Sequence, residues 1–280
     1  MPVELELEAY TERELKMPLF TGGLARGILL QVLRRSEPEI SHRLHEPNTR
    51  KAYSVTPLLF KSRSSLKDGY LLDPTYPLRM RVRFLEDGYA ANLMRGFEVD
   101  TSLTLHESVF HVASMRIRSK SYSELLSESN PVDSFRLLFK TPTCFSALGR
   151  RYLHLFPEVI YVFGGLLELW SLFSHDTGVD CGTRDEYVKW IVDSAGVSGF
   201  ELVTRQVLIG RRSSIGFTGW VNYRLGEGDK WRKLTVALAR FAEFSNVGKN
   251  RTAGLGVTRY LEKRGTDPTR SDSRGPDLSR

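Results

Sequence analysis

Near the C-terminus three patterns follow one another without a break: a helix, a glycine loop and a strand. From about Asp229 to Phe244, Trp231, Leu234, Leu238 and Phe241 recur at helical spacing on one face. Then comes Asn246-Val247-Gly248-Lys249-Asn250-Arg251-Thr252-Ala253-Gly254-Leu255-Gly256, and Gly254 to Leu261 reads as a short apolar strand. Helix, loop and strand in that order are the closing pieces of an α+β unit. The order also excludes two phosphate loops. No Gly-Lys-Ser/Thr closes the segment as in a Walker A loop, and a dinucleotide fingerprint lies between a strand and a helix, not the reverse. Glycines allow close backbone approach to a phosphate and positive φ, while Lys249, Asn250 and Arg251 set two cations and an amide among them. Such a loop suits an extended polyanion. Taken alone, it is equally a solvated glycine-rich turn.

The charge balance narrows the partner. Lys and Arg exceed Asp and Glu by 7 in 280 residues, which favours an anionic partner, nucleic acid or a membrane surface. The longest apolar run, Val159 to Phe173, is interrupted by Glu168 and is too short to span a bilayer. The opening Met1-Pro2-Val3-Glu4-Leu5-Glu6 lacks the basic-then-apolar layout of a signal peptide. Cys144 and Cys181 alone make no zinc set. The expectation is a cytoplasmic chain with free thiols and no membrane attachment.

Val3 to Tyr10 alternates apolar and acidic residues, the period of a half-buried strand. A helix follows from about Thr21, with Leu24, Ile28 and Val32 four apart and Leu29 and Leu33 widening the face. Ser36-Glu37-Pro38 breaks it, and Pro38 opens a short second helix through Leu44. Strands are expected at Tyr53 to Phe60 and Arg79 to Phe84, a helix at Tyr89 to Arg95, and a strand or hairpin at Ser102 to Ile117. A polar break from Ser119 to Pro131 marks the domain boundary. Beyond it come a strand at Ser134 to Lys140, helices at Pro157 to Phe173 and Glu186 to Ser194, and strands at Phe200 to Ile209 and Ile215 to Leu225. Both halves, 1–131 and 132–262, thus read β-α-β-β-α-β. The fold class is α+β, two tandem ferredoxin-like domains of the kind used by RNA-recognition modules. Residues 263–280 mix Gly, Pro, Ser, Asp and Arg without apolar anchors and read as a disordered tail.

Candidate chemistry lies at His42-Arg43-Leu44-His45-Glu46-Pro47-Asn48-Thr49-Arg50-Lys51. Two histidines three apart share a helical face. As a metal site the pair is short of ligands. As acid–base chemistry it fits better, because imidazole titrates near neutrality, and Arg50 and Lys51 suit the anion that develops on a phosphate. Exposed histidines beside basic residues remain the competing reading. His106, His111, His154 and His175 carry less, and Trp231 with Phe241 reads as core. Arg211 and Arg212, between two strands, suit a stem backbone or a solvated turn.

The stretch Gly248-Lys249-Asn250-Arg251-Thr252-Ala253-Gly254-Leu255-Gly256 resembles the glycine-rich signature of the repeat-associated (RAMP) superfamily. More narrowly, the chain resembles CRISPR-associated endoribonucleases that process precursor CRISPR RNA. Phe139-Lys140-Thr141-Pro142-Thr143-Cys144-Phe145 is similar to the strand opening their second domain. Gly216-Phe217-Thr218-Gly219-Trp220-Val221 is similar to their mid-domain strand, and Leu44-His45-Glu46 to the segment bearing the catalytic histidine.

The resemblance implies two ferredoxin-like domains in a prokaryotic cytoplasmic protein. It implies metal-independent cleavage within each repeat, without a cofactor, by 2′-hydroxyl attack that leaves a 2′,3′-cyclic phosphate and a 5′-hydroxyl. By position His45 is the acid–base residue and Lys51 the stabilising cation. RNA contacts fall to Gly248, Lys249, Asn250, Arg251, Gly254 and Gly256, with Arg211 and Arg212. Some relatives place a catalytic tyrosine on the first helix, where this chain has Leu29 and Leu30. His42, Arg50, Tyr53 or Arg26 is then the accessory group. The alternative is a non-catalytic RAMP subunit holding RNA in an effector complex. Partners are therefore repeat RNA, with other effector subunits and a homodimer left open.

Overall fold

The computed structural model describes residues 1–262 except 48, 147, 148, 150 and 175–180. The stretch read as a tail, 263–280, and His175 lie outside the described residues.

The alternating opening forms β1 (Val3–Tyr10), whose Val3, Leu5, Leu7 and Ala9 are buried. Its acidic face meets arginines on the neighbouring strand: Glu4, Glu6 and Glu8 pair with Arg83, Arg81 and Arg79. After β2 (Lys16–Pro18) come α1 (Gly22–Ser36) and α2 (Pro38–His45). Ala25, Ile28, Leu29, Val32 and Leu33 of α1 are buried, the stripe expected from their spacing. Pro38 sits at the first helical position of α2, where its missing N–H costs nothing.

The rest of the first unit is β3 (Tyr53–Val55), β4 (Ser62–Leu66), β5 (Gly69–Leu72), β6 (Leu78–Phe84), α3 (Gly88–Val99), β7 (Ser102–Leu105) and β8 (Ser108–Ser119). Its main sheet runs β3-β6-β1-β8-β7. The expected strand from Tyr53 to Phe60 stops at Val55, leaving an isolated bridge between Leu59 and Arg79. A separate small sheet, β2-β5-β4, and the short α4 (Tyr122–Ser127) had no place in the sequence reading.

The second unit contains β9 (Ser134–Thr143), β10 (Phe145–Ser146), β11 (Leu153–His154), α5 (Gly165–Phe173), α6 (Cys181–Ser194), β12 (Ala195–Ile209), β13 (Arg212–Leu225), α7 (Asp229–Ser245) and β14 (Thr258–Glu262). Its sheet runs β12-β13-β9-β14. In both sheets the order of the four shared strands is second, third, first, fourth, all antiparallel. Two tandem ferredoxin-like domains result. Where one long helix was expected from Pro157, a π-helical turn (Ile160–Gly164) precedes α5. The closing strand starts only at Thr258, because residues 251–253 form a 3-10 turn.

Two cores form, and they meet. The second core takes in Ala52 and Leu85 from the first unit. Around them the seam is polar: Ser54 Oγ donates to the Phe244 carbonyl at 2.7 Å, and Tyr122 Oη to the Leu85 carbonyl at 3.1 Å.

Candidate RNA-processing site at the domain seam

The seam opens into a cavity of about 690 Å³ lined from both units. The first contributes Arg26 from α1, His45 from the last turn of α2, and Arg50, Lys51 and Tyr53 from the segment that becomes β3. The second contributes Gly248, Lys249, Asn250 and Arg251 of the glycine loop, and Arg212 of the β12–β13 hairpin. Phe145, Tyr161 and Leu166 form an apolar wall, with Tyr161 stacked on Phe145 at 5.8 Å between ring centroids.

His45 is exposed to this space. Lys51 Nζ donates to the Arg43 carbonyl at 3.1 Å and to Thr49 Oγ1 at 2.6 Å. Burial lowers the Lys51 pKa, and the nearby Glu46 carboxylate partly offsets this. Tyr53 is 1% exposed; burial raises its phenol pKa, against the opposing pull of the Arg26 cation and a side-chain hydrogen bond with Thr252. At neutral pH the phenol therefore keeps its proton and is able to donate a hydrogen bond. Arg50 Nη2 is held by Glu168 of α5 at 2.7 Å, an ion pair across the seam.

Four of the sequence candidates fall elsewhere. His42 is exposed on α2 and does not line the cavity. Arg211 takes the second position of the two-residue turn joining β12 to β13, while Arg212 next to it reaches the cavity. Gly254 and Gly256 face protein, not the cavity. A Cβ at Gly254, where φ is +80°, would lie 3.0 Å from Gly22 Cα and 3.1 Å from Pro57. One at Gly256, φ +70°, would overlap the Val247 carbonyl oxygen. These glycines admit backbone to backbone, which closes the loop onto α1 and the segment after β3. Arg251, read as a phosphate ligand, is 8% exposed and donates to the Ser245 and Lys51 carbonyls at 2.6 and 3.0 Å. Two of its N–H donors thus go to the protein.

Asn246 and Arg83 went unread in the sequence. Asn246 is 0% exposed with φ at +56°. Its Nδ2 donates to the Val55 carbonyl at 2.9 Å, and its Oδ1 accepts from Arg83 Nη1 at 3.0 Å. An asparagine closing a helix ahead of a glycine-rich loop is a positive-φ signal that would have found it. Among the described residues no cluster of three His, Cys, Asp or Glu is placed to hold a metal ion. Nor, among them, is any helix long and apolar enough to cross a membrane.

Comparison with known proteins gives a consistent family. A family model described as CRISPR-associated endoribonuclease Cas6 matches residues 137–258. The CRISPR-associated endoribonuclease Cas6 of Mycobacterium tuberculosis is 27% identical over 125 residues, 45% of this chain and 38% of that protein. The match thus spans well under half the length of that curated relative. Among solved structures, a Thermus thermophilus Cas6 in a product complex superposes with a TM-score of 0.77 at 25% identity, covering 93% of this chain and 99% of the other. A Cas6-related protein of Pyrococcus furiosus shares the fold at 10% identity and a TM-score of 0.64, covering 94% of this chain and all of the other.

Proposed function

We propose that the chain is a CRISPR-associated endoribonuclease of the Cas6 kind that cuts CRISPR precursor RNA within its repeats, using the seam cavity as its active site. The observation that carries this reading is the convergence of His45, Lys51, Arg26, Tyr53 and the glycine loop on one cavity. The glycine loop lies about two hundred residues from the other four, and together they supply an acid–base group, cations and a phenol donor.

The proposed reaction is an internal transesterification. The ribose 2′-oxygen bonds to the adjacent phosphorus, the bond to the 5′-oxygen breaks, and a 2′,3′-cyclic phosphate and a 5′-hydroxyl result. His45 takes the 2′ proton or returns one to the leaving oxygen. Lys51 and Arg26 neutralise the charge that builds on the phosphoryl oxygens, where positioned cations do most for a transition state. Tyr53 donates a hydrogen bond. Lys249 and Arg212, both exposed at the cavity, hold flanking phosphates.

The test is cleavage of labelled repeat RNA in excess EDTA, beside an RNA with one 2′-deoxy nucleotide at the cut site. The reading expects one cut that survives EDTA and disappears with the 2′-deoxy substitution. A cut abolished by EDTA removes metal independence. Tight binding without a cut turns the reading to a non-catalytic RNA-holding subunit.

A further inference from the structure

A chain of buried polar contacts leads from β1 to the cavity. Glu4 pairs with Arg83, and Arg83 Nη1 donates to Asn246 Oδ1 at 3.0 Å. Asn246 Nδ2 donates to the carbonyls of Val55 and Arg251, at 2.9 and 3.2 Å. The Arg251 guanidinium then reaches the Ser245 carbonyl at 2.6 Å and the Lys51 carbonyl at 3.0 Å. Lys51 is thereby held at both ends, its carbonyl by Arg251 and its ammonium by Arg43 and Thr49.

We propose that Arg251 is a positioning residue, a buried bolt seated by Asn246 that fixes the Lys51 backbone against the glycine loop. The proposal rests on the reading of Lys51 as the charge-stabilising group. Arginine suits the task because its planar fork donates to two carbonyls on different segments at once, whereas a lysine point charge does not reproduce that geometry. Without it two carbonyls lose their donor at the seam. The guanidinium is costly where it lies: burial and the neighbouring Arg50 bring its pKa down to about 10, and the carbonyls it bonds are neutral.

The test uses the full chain with Arg251→Met, Arg251→Lys, Lys51→Ala and the double variant Arg251→Met/Lys51→Ala. Three quantities are read: affinity for uncleavable 2′-deoxy repeat RNA, single-turnover rate at saturating RNA, and acetylation of the Lys51 amine relative to the exposed Lys230, by mass spectrometry. Arg251→Met is expected to lower the rate by about tenfold or more, to keep affinity within about threefold, and to speed Lys51 acetylation several-fold. In the Lys51→Ala background it should cost nothing further. Arg251→Lys should recover part of the rate, and it carries the same readings if the methionine variant does not fold.

Additive losses in the double variant would overturn the proposal, as would unchanged Lys51 reactivity. Weaker binding with an unchanged saturated rate would make Arg251 a phosphate ligand instead. If the unsubstituted protein cuts no RNA, the proposed function fails, while Lys51 acetylation still reads the bolt.

Discussion

At the scale of single residues, the site separates groups that face the cavity from groups that hold others in place. His45 is exposed at the end of α2, with its ring lining the cavity. His45→Ala should lower single-turnover cleavage by roughly 10²- to 10⁴-fold, the usual span of an acid–base group, while affinity for 2′-deoxy repeat RNA stays within about threefold. Surviving cleavage would move the acid–base role elsewhere in the cavity, although the scaffold would be unaffected. The Glu4–Arg83 pair behaves differently. Both side chains are buried, and removing one partner strands the other charge. Glu4→Ala should therefore cost about 3–5 kcal/mol in denaturant unfolding, far above the cost of an exposed pair. A loss under about 1 kcal/mol would show that water solvates Arg83 in its place.

At the scale of elements, the sequence was legible where periodicity or a breaker residue settled the local choice. β1 shows its two-residue period, α1 its apolar stripe, and α2 its proline start. The glycine loop reaches the cavity at Gly248, Lys249, Asn250 and Arg251, while Gly254 and Gly256 pack against other backbone. Positive φ was expected for a phosphate, but at Gly254 and Gly256 it serves the crossing of two backbones, which no local pattern reveals. Gly254→Ala should destabilise the protein by about 1–3 kcal/mol, from left-handed strain and the approach to Gly22 and Pro57, read as a lower melting temperature. An unchanged melting temperature would mean that the loop opens there at little cost. α4 was missed although its start was written plainly. Ser121 and Glu124 form a reciprocal capping box, but they sit inside a serine-rich stretch that reads as a polar break. The π-helical turn before α5 has no comparable signal, since its apolar run fits a longer α-helix just as well.

At the scale of the whole molecule, the excess of 7 positive charges is spread unevenly, because many arginines already face glutamates on the first sheet. At the seam, Lys249 and Arg212 stay exposed. Lys249 is exposed at the cavity while its backbone N–H is fixed to the Cys144 carbonyl at 2.9 Å. Replacing it with alanine should weaken binding to repeat and unrelated RNA alike, and reduce the slope of log affinity against log salt by about 1. A loss confined to repeat RNA would instead make Lys249 a base reader. Most candidates for the site could be named from the sequence. Their meeting could not, because it depends on α7 and its loop docking on β3, nearly two hundred residues away in the chain.

The seam cavity has a consequence for how the chain can be divided. The first ferredoxin-like unit holds His45 and Lys51 but lacks the loop whose Arg251 bonds the Lys51 carbonyl, and the second holds that loop without its partner. Neither half is a smaller version of the whole. The cavity exists only in the joint, as the grip of a pair of tongs belongs to neither arm.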